Sequence, residues 1–458
     1  GRDFVVGFSH CIMTTAMNGE HRNFKFYIRT FGCQMNESDS ERIAGLLGQT
    51  RAARAERPEE ADLIIVNTCA VREKSEEKLF SYLGRLAQLK KKKNIRVGVV
   101  GCVAQLRGLE FLEQKPVVDF VLGPDNYTEI LGLIQPGRAE KYASTSWSRE
   151  WRETAPELIV RESAVSAYLT VMEGCNNFCA YCIVPYTRGR EKFRPLRSIL
   201  EETRDLGRRG FLEVQLLGQN VNSYRDPESG KDFAALLREA GGIEGVEWVR
   251  FLTSHPKNFT PAIAAAMAET KKVCRQIHLP LQAGSTAVLR KMKRGYSKQA
   301  YLDIVADLRR LMPGISLSTD VIVGFPGETE KDFEETIAVL SEVRFTNIFS
   351  FRYSPRPQTS AMRHADDVPA EEKRRRLGEV QRLQRQIQAE DHRKQLGRVM
   401  RVLCLGRGKK TPQLFSGRNE GHQVVNFQSA EDCSGRFVEV LITGFGPYSL
   451  LGERIPSG

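Results

Sequence analysis

The sequence predicts an α/β protein of three parts: an N-terminal parallel-sheet domain, a central partial (β/α) barrel, and a small all-β barrel of the oligonucleotide-binding (OB-like) sort. Three observations carry this expectation. Apolar, β-branched runs alternate with helix-like stretches, the pattern of parallel strands joined by right-handed crossovers. A polar, irregular stretch interrupts the alternation once, and after residue 395 brief strand-like runs punctuated by Gly replace it. The boundaries so placed are 23–137, a linker at 138–163, 164–394 and 395–458. Residues 1–22, with the lone Cys11, read as an N-terminal extension that lacks the charged, apolar and small-residue regions of a targeting segment.

The first domain shows one pattern three times. Strand-like runs at 26–33, 63–69 and 96–102 each end in a cysteine, Cys33, Cys69 and Cys102, and helical stretches follow near 38–47, 74–90 and 106–114. In a parallel sheet the C-terminal strand ends share one edge, so three cysteines placed just after three strands converge there. Spacing alone leaves them equally readable as core residues.

Six strand candidates follow the linker, at 167–173, 213–217, 248–253, 276–281, 316–323 and 346–351, with helices between them near 196–209, 233–239, 261–270, 298–311 and 330–343. Six βα units in about 200 residues suit a barrel that is not fully closed, with its active site at the C-terminal strand ends. A long charged helix over 370–395 precedes the last domain, whose strand-like runs lie near 399–405, 423–427 and 436–442.

Composition narrows the function. Lys and Arg number 68 against 56 Asp and Glu, a net charge of +12, which favours a polyanionic partner such as nucleic acid. In the last domain Arg398, Arg401, Arg407, Lys409, Lys410, Arg418, Arg436 and Arg454 outnumber Glu420, Glu431, Asp432, Glu439 and Glu453, a net of +3. No run approaches the ~18 apolar residues of a membrane span, so no membrane role is expected. Ten cysteines are too sparse for a disulfide scaffold and imply a reducing compartment, the cytoplasm. Cys274, Cys404 and Cys433 sit in apolar runs and read as small core residues.

The most specific motif is Cys175-Asn-Asn-Phe-Cys179-Ala-Tyr-Cys182, directly after the first barrel strand. Three thiolates on one loop can hold three irons of a cubane cluster and leave the fourth open, unlike the four-cysteine ligation of electron carriers. A zinc site completed by a distant fourth ligand is the competing reading. Its usual paired two-residue spacings do not match this three-then-two pattern.

With Tyr181 before its last cysteine, this motif resembles the signature of the radical S-adenosylmethionine enzymes. The wider run from Val171 to Arg190, with Thr30-Phe-Gly-Cys-Gln-Met-Asn-Glu-Ser-Asp-Ser40, is similar to the methylthiotransferases among them, from about Asn23 to Ile455. That resemblance implies an N-terminal methylthiotransferase domain, a radical S-adenosylmethionine barrel and a C-terminal TRAM domain. It implies two [4Fe-4S] clusters. Cys175, Cys179 and Cys182 would hold the one that reduces S-adenosylmethionine to a 5′-deoxyadenosyl radical; Cys33, Cys69 and Cys102 would hold an auxiliary one that carries the sulfur to be inserted.

Further contacts implied for S-adenosylmethionine are Tyr181, Gly218, Gln219, Asn220, Thr253, Ser254, Gln282 and Asp320, all after barrel strands. Radical chemistry needs no general acid or base at its first step, so His255 and His278 carry no proton-transfer role. The implied activity is sulfur insertion and methyl transfer onto N(6)-isopentenyladenosine at position 37, next to a tRNA anticodon. A splayed-out loop base suits such a pocket. Arg352, Arg356, Arg398, Arg401, Lys409 and Lys410 are candidate phosphate contacts, and an external electron donor of the flavodoxin or ferredoxin type is required. Methylthiolation of threonylcarbamoyl-adenosine or of a ribosomal-protein aspartate stays open, as does a non-enzymatic iron-sulfur or zinc protein that binds RNA. Two positions depart from the family pattern: Ala283 where Ser is frequent, and Gln358 where Gly is usual.

Overall fold

The computed structural model describes residues 24–50, 52–71, 73–135, 140–408 and 411–456; the extension with Cys11, and Lys409 and Lys410, lie outside them. The N-terminal sheet holds six parallel strands in the order Ala53–Arg54, Lys25–Phe31, Leu63–Thr68, Arg96–Val100, Phe120–Leu122 and Tyr142–Ser144. Alternate side chains leave opposite faces of a strand. Ile64, Val66, Val97 and Val99 bury one face against Leu79, Leu83 and Phe111 of the helices Glu73–Lys92 and Cys102–Gln114. Ile28, Leu63, Ile65 and Phe120 bury the other against Ile43 and Leu47 of the helix Gln34–Gly48.

The crossover helices thus change face between the strands Lys25–Phe31 and Leu63–Thr68. Such a reversal opens a crevice beyond the C-terminal strand ends, where α/β sheets bind ligands. Cys33 and Cys69 follow the two strands that flank it, and Cys102 follows the next.

Only three of the six strands were expected. The other three are two or three residues long, too short to display a periodicity. One of them, Tyr142–Ser144, falls in the segment read as linker, so the sheet extends at least to Ser144. The rest of that segment straps the two domains together: Ser148 N donates to Asp125 Oδ2 at 2.9 Å, and Glu153 pairs with Arg194 at 2.6 Å.

All six expected barrel strands form, in two parallel half-barrels. One is ordered Trp248–Phe251, Glu213–Leu217, Ser166–Thr170, the other Gln276–His278, Ser316–Val323, Asn347–Arg352. A single bridge, Val249 to Val273, joins them. Among the described residues no pairing joins the first strand to the last, so the barrel is open there. Leu317, Val321 and Val323 bury the outer face beneath the helices. Ser318 and Asp320 lie on the inner face, both bonded to His278 at 3.0 and 3.3 Å. The helix Gln34–Gly48 runs beside the first barrel strand, with Ser38 and Thr170 hydroxyls 3.2 Å apart.

The last domain is a closed barrel ordered Val399–Arg407, Phe415–Asn419, Val424–Gln428, Leu450–Arg454, Phe437–Phe445, around Val402, Cys404, Phe427, Cys433 and Val440. Two of these strands escaped the sequence pattern because Gly417 and Gly452 interrupt them. A Cβ there would lie 2.4 Å from Leu403 O and Leu441 O respectively, so glycine permits the close strand approach.

This barrel docks against the N-terminal ends of the central strands. Phe437 packs edge-on to Trp248 with centroids 4.7 Å apart, and Val165, Trp248, Cys274 and Leu403 form a shared apolar cluster. The docked domain therefore sits at the end opposite the cysteine loop. Among the described residues no helix is long and apolar enough to cross a membrane.

Candidate active site

The first trio is assembled by backbone geometry. Cys33 ends the first strand at the N-terminus of its helix, and Asn36 Oδ1 accepts from both its N and its Sγ at 3.4 Å. Asn36 Nδ2 in turn donates to Asn67 Oδ1 at 3.0 Å, which locks the turn against the neighbouring strand. Gly101, at φ +92°, turns the chain so that Cys102 opens its helix; a Cβ would lie 2.4 Å from Asn67 Oδ1.

The thiols meet. A hydrogen bond from Cys69 lowers Cys33 to about 6 against the effect of burial, with Arg188 assisting. The same bond and burial hold Cys69 well above the ordinary thiol range, and Cys102 adds to that rise. Cys69 Sγ accepts from Val71 N at 3.3 Å, and Cys102 Sγ accepts from Arg188 Nε at 3.2 Å.

The second trio occupies the loop after Met172–Glu173. Gly174, at φ +81°, starts it; a Cβ there would lie 2.0 Å from Arg190 O. Cys175 N donates to Gly189 O at 3.1 Å and Ala180 N to Met292 O at 2.9 Å, pinning both ends of the loop. Burial raises Cys175 to about 11 and Cys182 to about 12. Cys179 instead faces two donors, Arg294 Nη1 at 3.3 Å and His255 Nε2 at 3.7 Å. His255 Nδ1 accepts from Lys257 N at 3.1 Å, so its proton sits on Nε2, directed to the sulfur. Burial, then Arg294 and Lys257, depress His255 to about 2, so it stays neutral.

The two trios lie on either side of the junction between the first two domains, where Arg188, from the loop after Cys182, reaches Cys102 Sγ. The short helix Val184–Thr187 follows Cys182, and Ile183 and Tyr186 beside it pack into the N-terminal core that contains Cys102. Arg356, beyond the last barrel strand, donates to Val71 O at 3.2 Å, two residues from Cys69. Among the described residues no three His, Cys, Asp or Glu converge on one point. Cubane thiolates bind separate irons and need no such single point.

Residues expected around S-adenosylmethionine gather at the same barrel end. Thr253 Oγ1 donates to Gly218 O, Gln219 Oε1 accepts from Gly174 N at 2.5 Å, and Tyr181 OH accepts from Arg294 Nη1 at 3.4 Å. Gln282 N donates to the carbonyl of Asp320 at 2.8 Å, and Asp320 Oδ2 faces His278. Asn220 Oδ1, Ser254 Oγ and Gln282 Oε1 are buried without a hydrogen-bond partner among the described residues. Thr253 and Gln282 hold φ of +66° and +71°, strained for side-chain-bearing residues. Orphaned acceptors and stored strain at one rim fit a polar, cationic ligand head such as the ammonium of S-adenosylmethionine.

Comparison with known proteins agrees with this geometry. Residues 25–123 match the model of the Uncharacterized protein family UPF0004, 169–340 that of the Radical SAM superfamily, and 393–455 that of the TRAM domain. A tRNA-2-methylthio-N(6)-dimethylallyladenosine synthase of Geobacter metallireducens is 46% identical over 430 residues, 93% of this chain and 97% of that protein. One of the same name from Clostridium novyi is 42% identical over 438 residues, 94% and 97%. The chain belongs to the tRNA-2-methylthio-N(6)-dimethylallyladenosine synthases. In fold it resembles the radical S-adenosylmethionine methyltransferase TsrM from Kitasatospora setae, solved with cobalamin and a [4Fe-4S] cluster. The TM-score is 0.55 at 14% identity, covering 74% of this chain and 77% of that one.

In this synthase the arginines considered for RNA do not form one patch. Arg352 ends the last barrel strand and Arg356 follows it, bonded to Val71 O. Arg398 and Arg401 belong to the docked barrel at the far end, where Arg401 stacks 3.9 Å over the Phe437 ring and pairs with Glu247 at 3.2 Å. Arg401 thus contacts the domain junction while about half of its side chain stays exposed. Phe349 and Phe351 of the last strand remain 41% and 38% exposed, on the face that meets His278.

Ala283 is fully buried beside Val288 and Phe325, where the missing hydroxyl is immaterial to the site. Gln358 takes φ +67°, the region glycine enters freely, which explains the residue usual in the family. Gln358→Gly is expected to stabilise the chain by about 0.5–1 kcal/mol, seen as a higher unfolding midpoint in denaturant.

The sequence pattern passed over two groups that touch the cysteines, Arg188 and Arg294, and named His255 without a contact to Cys179. Arg188 stood within the family run without a role. A lone arginine carries no spacing, and its partner lies 86 residues away.

Proposed function

We propose that this chain is a tRNA methylthiotransferase that converts N(6)-isopentenyladenosine at position 37, next to the anticodon, to its 2-methylthio derivative. One observation carries the reading: two three-cysteine sets, each from a different domain, lie at one domain junction and are bridged by Arg188, in a chain that matches synthases of that name over nearly its whole length. When bound, the two [4Fe-4S] clusters and S-adenosylmethionine supply a carbon-centred radical and a transferable methylthio sulfur.

The chain's own residues then have distinct tasks. Cys175, Cys179 and Cys182 would hold the cluster that meets S-adenosylmethionine, and Cys33, Cys69 and Cys102 the auxiliary one. Asn220, Ser254 and Gln282, with Tyr181, Gly218, Gln219, Thr253 and Asp320 around them, would grip the ligand's polar head and ribose. His255, neutral and engaged with Cys179, moves no proton. The open side of the barrel admits an unstacked loop base, and Arg352 and Arg356 at its mouth would neutralise flanking phosphates. Arg398, Arg401, Lys409 and Lys410 of the terminal domain would hold the stem. The reductant is a flavodoxin or ferredoxin type of protein, and the enzyme works in the cytoplasm with its tRNA.

The test is anaerobic reconstitution with iron and sulfide, then incubation with reductant, S-adenosylmethionine and an isopentenylated anticodon stem-loop. Mass spectrometry of the digested RNA is expected to show a methylthio gain on that nucleoside. Gain on a threonylcarbamoyl stem-loop instead would overturn the substrate assignment.

A further inference from the structure

Arg188 lies on the loop of one trio and touches the other. Its side chain is 3% exposed. Nε donates to Cys102 Sγ at 3.2 Å, Nη2 to Asp39 Oδ2 at 2.5 Å, and the buried Nη1 has no partner among the described residues. Tyr127 OH donates to the same Asp39 oxygen at 3.2 Å, and Asp39 Oδ1 is also buried without a partner. The backbone reinforces the placement: Arg188 N donates to Val184 O at 2.8 Å, and the next residue, Gly189, accepts from Cys175 N at 3.1 Å.

A buried guanidinium that serves only as a salt bridge would direct its donors to carboxylates. Here one of three donor nitrogens is given to a thiol and another is left unmade at the same spot, an expensive arrangement unless something arrives to accept it. Among the described residues no other side chain donates a hydrogen bond to Cys102. A hydrogen bond from a cation to a coordinating sulfur stabilises the more negative, reduced state of an iron-sulfur group and raises its potential.

We propose that Arg188 is a positioning residue for the auxiliary group: from the radical loop it sets the reduction potential of what Cys33, Cys69 and Cys102 hold, with Asp39 limiting the charge it exerts. This rests on the reading that the trio carries an iron-sulfur cluster.

The test uses the full chain with Cys175, Cys179 and Cys182 replaced by Ala, so that iron loads on the auxiliary trio alone, and reads its midpoint potential by redox titration followed by electron paramagnetic resonance. Arg188→Met is expected to shift the potential downward and Arg188→Lys to recover part of the shift. Asp39→Asn, which keeps the guanidinium and removes the opposing charge, is expected to shift it upward. A merely structural Arg188 predicts no such opposite pair. Unchanged potentials with iron bound would overturn the proposal. If Arg188→Met fails to fold, Arg188→Lys decides alone: a downward shift supports the role and an unchanged potential refutes it. A parent chain that loads no iron on this trio refutes the cluster assignment itself, and this inference with it.

Discussion

Cys69→Ala is expected to abolish methylthio product while leaving reductive cleavage of S-adenosylmethionine intact, and Cys182→Ala to abolish both. The asymmetry follows from where the two residues sit. Cys69 is buried beyond the Leu63–Thr68 strand with Cys33 and Cys102, on the N-terminal side of the domain junction. Two remaining thiols cannot retain a cubane that needs three, so bound iron should fall from about eight to about four per chain. The chain itself should persist: a thiol-to-methyl change at this site removes one sulfur and its contact with Val71 N, a small cost beside a core of this size.

Cys182 lies on the other loop, where Cys182 N also donates to Cys179 O at 2.9 Å, a bond that alanine keeps. Its loss should again leave about four irons, now on the auxiliary side. Iron analysis, the yield of 5′-deoxyadenosine and the yield of methylthio-nucleoside separate the cases. If each substitution emptied both trios, the picture of two independently held groups would fail.

How far the sequence led can be read from particular elements. Every barrel strand from Ser166–Thr170 to Asn347–Arg352 was visible, because each carries a run of apolar or β-branched residues between turn signals. The short strands Ala53–Arg54 and Tyr142–Ser144 were not, since two or three residues show no alternation and their pairing is decided by the neighbouring strand. The six cysteines were legible for different reasons. Those of 175–182 stand in a spacing that few other sites use, whereas Cys33, Cys69 and Cys102 are spread over 70 residues and were tied together only by their place after strands and by family resemblance. The arginines at the sulfurs were invisible. Arg294 reaches Cys179 across 115 residues, and its burial is knowable only once the half-barrels are closed. Arg401 has contacts that its charge did not announce: it lies over the Phe437 ring and pairs with Glu247, while about half of its side chain stays exposed.

Arg250→Met is expected to loosen the terminal barrel and destabilise the chain by about 3–5 kcal/mol, the usual penalty for leaving a buried charge without its partner. Arg250 is fully buried in the strand Trp248–Phe251. Nε pairs with Glu213 at 2.9 Å, Nη1 donates to Gln276 Oε1 at 3.3 Å and to Glu420 O at 2.8 Å, and Nη2 donates to Asn419 O at 3.4 Å. One side chain thus satisfies a core carboxylate and two carbonyls of the docked domain. Burial works to raise Glu213, yet Arg250, with bonds from Ser166 and Gln215, holds it below the ordinary carboxylate range. The sign of the pH effect follows. In the parent chain this pair contributes stability above the unfolded carboxylate pKa, near 4.3, and loses it as pH falls through the lower folded value. Without the guanidinium, burial raises Glu213 above that reference, so the variant should be most impaired near neutrality and recover relative to the parent as pH drops toward 5. Glu213→Gln combined with Arg250→Met should restore part of the loss at pH 7, because the stranded charge is gone. Trp248, buried against Phe437, reports the docking directly, and its emission should shift to longer wavelength in Arg250→Met. Calorimetry across pH 5–8 together with that emission decides the matter: a variant equally unstable at both ends, or one whose Trp248 stays shielded, would show that Arg250 is dispensable to the junction.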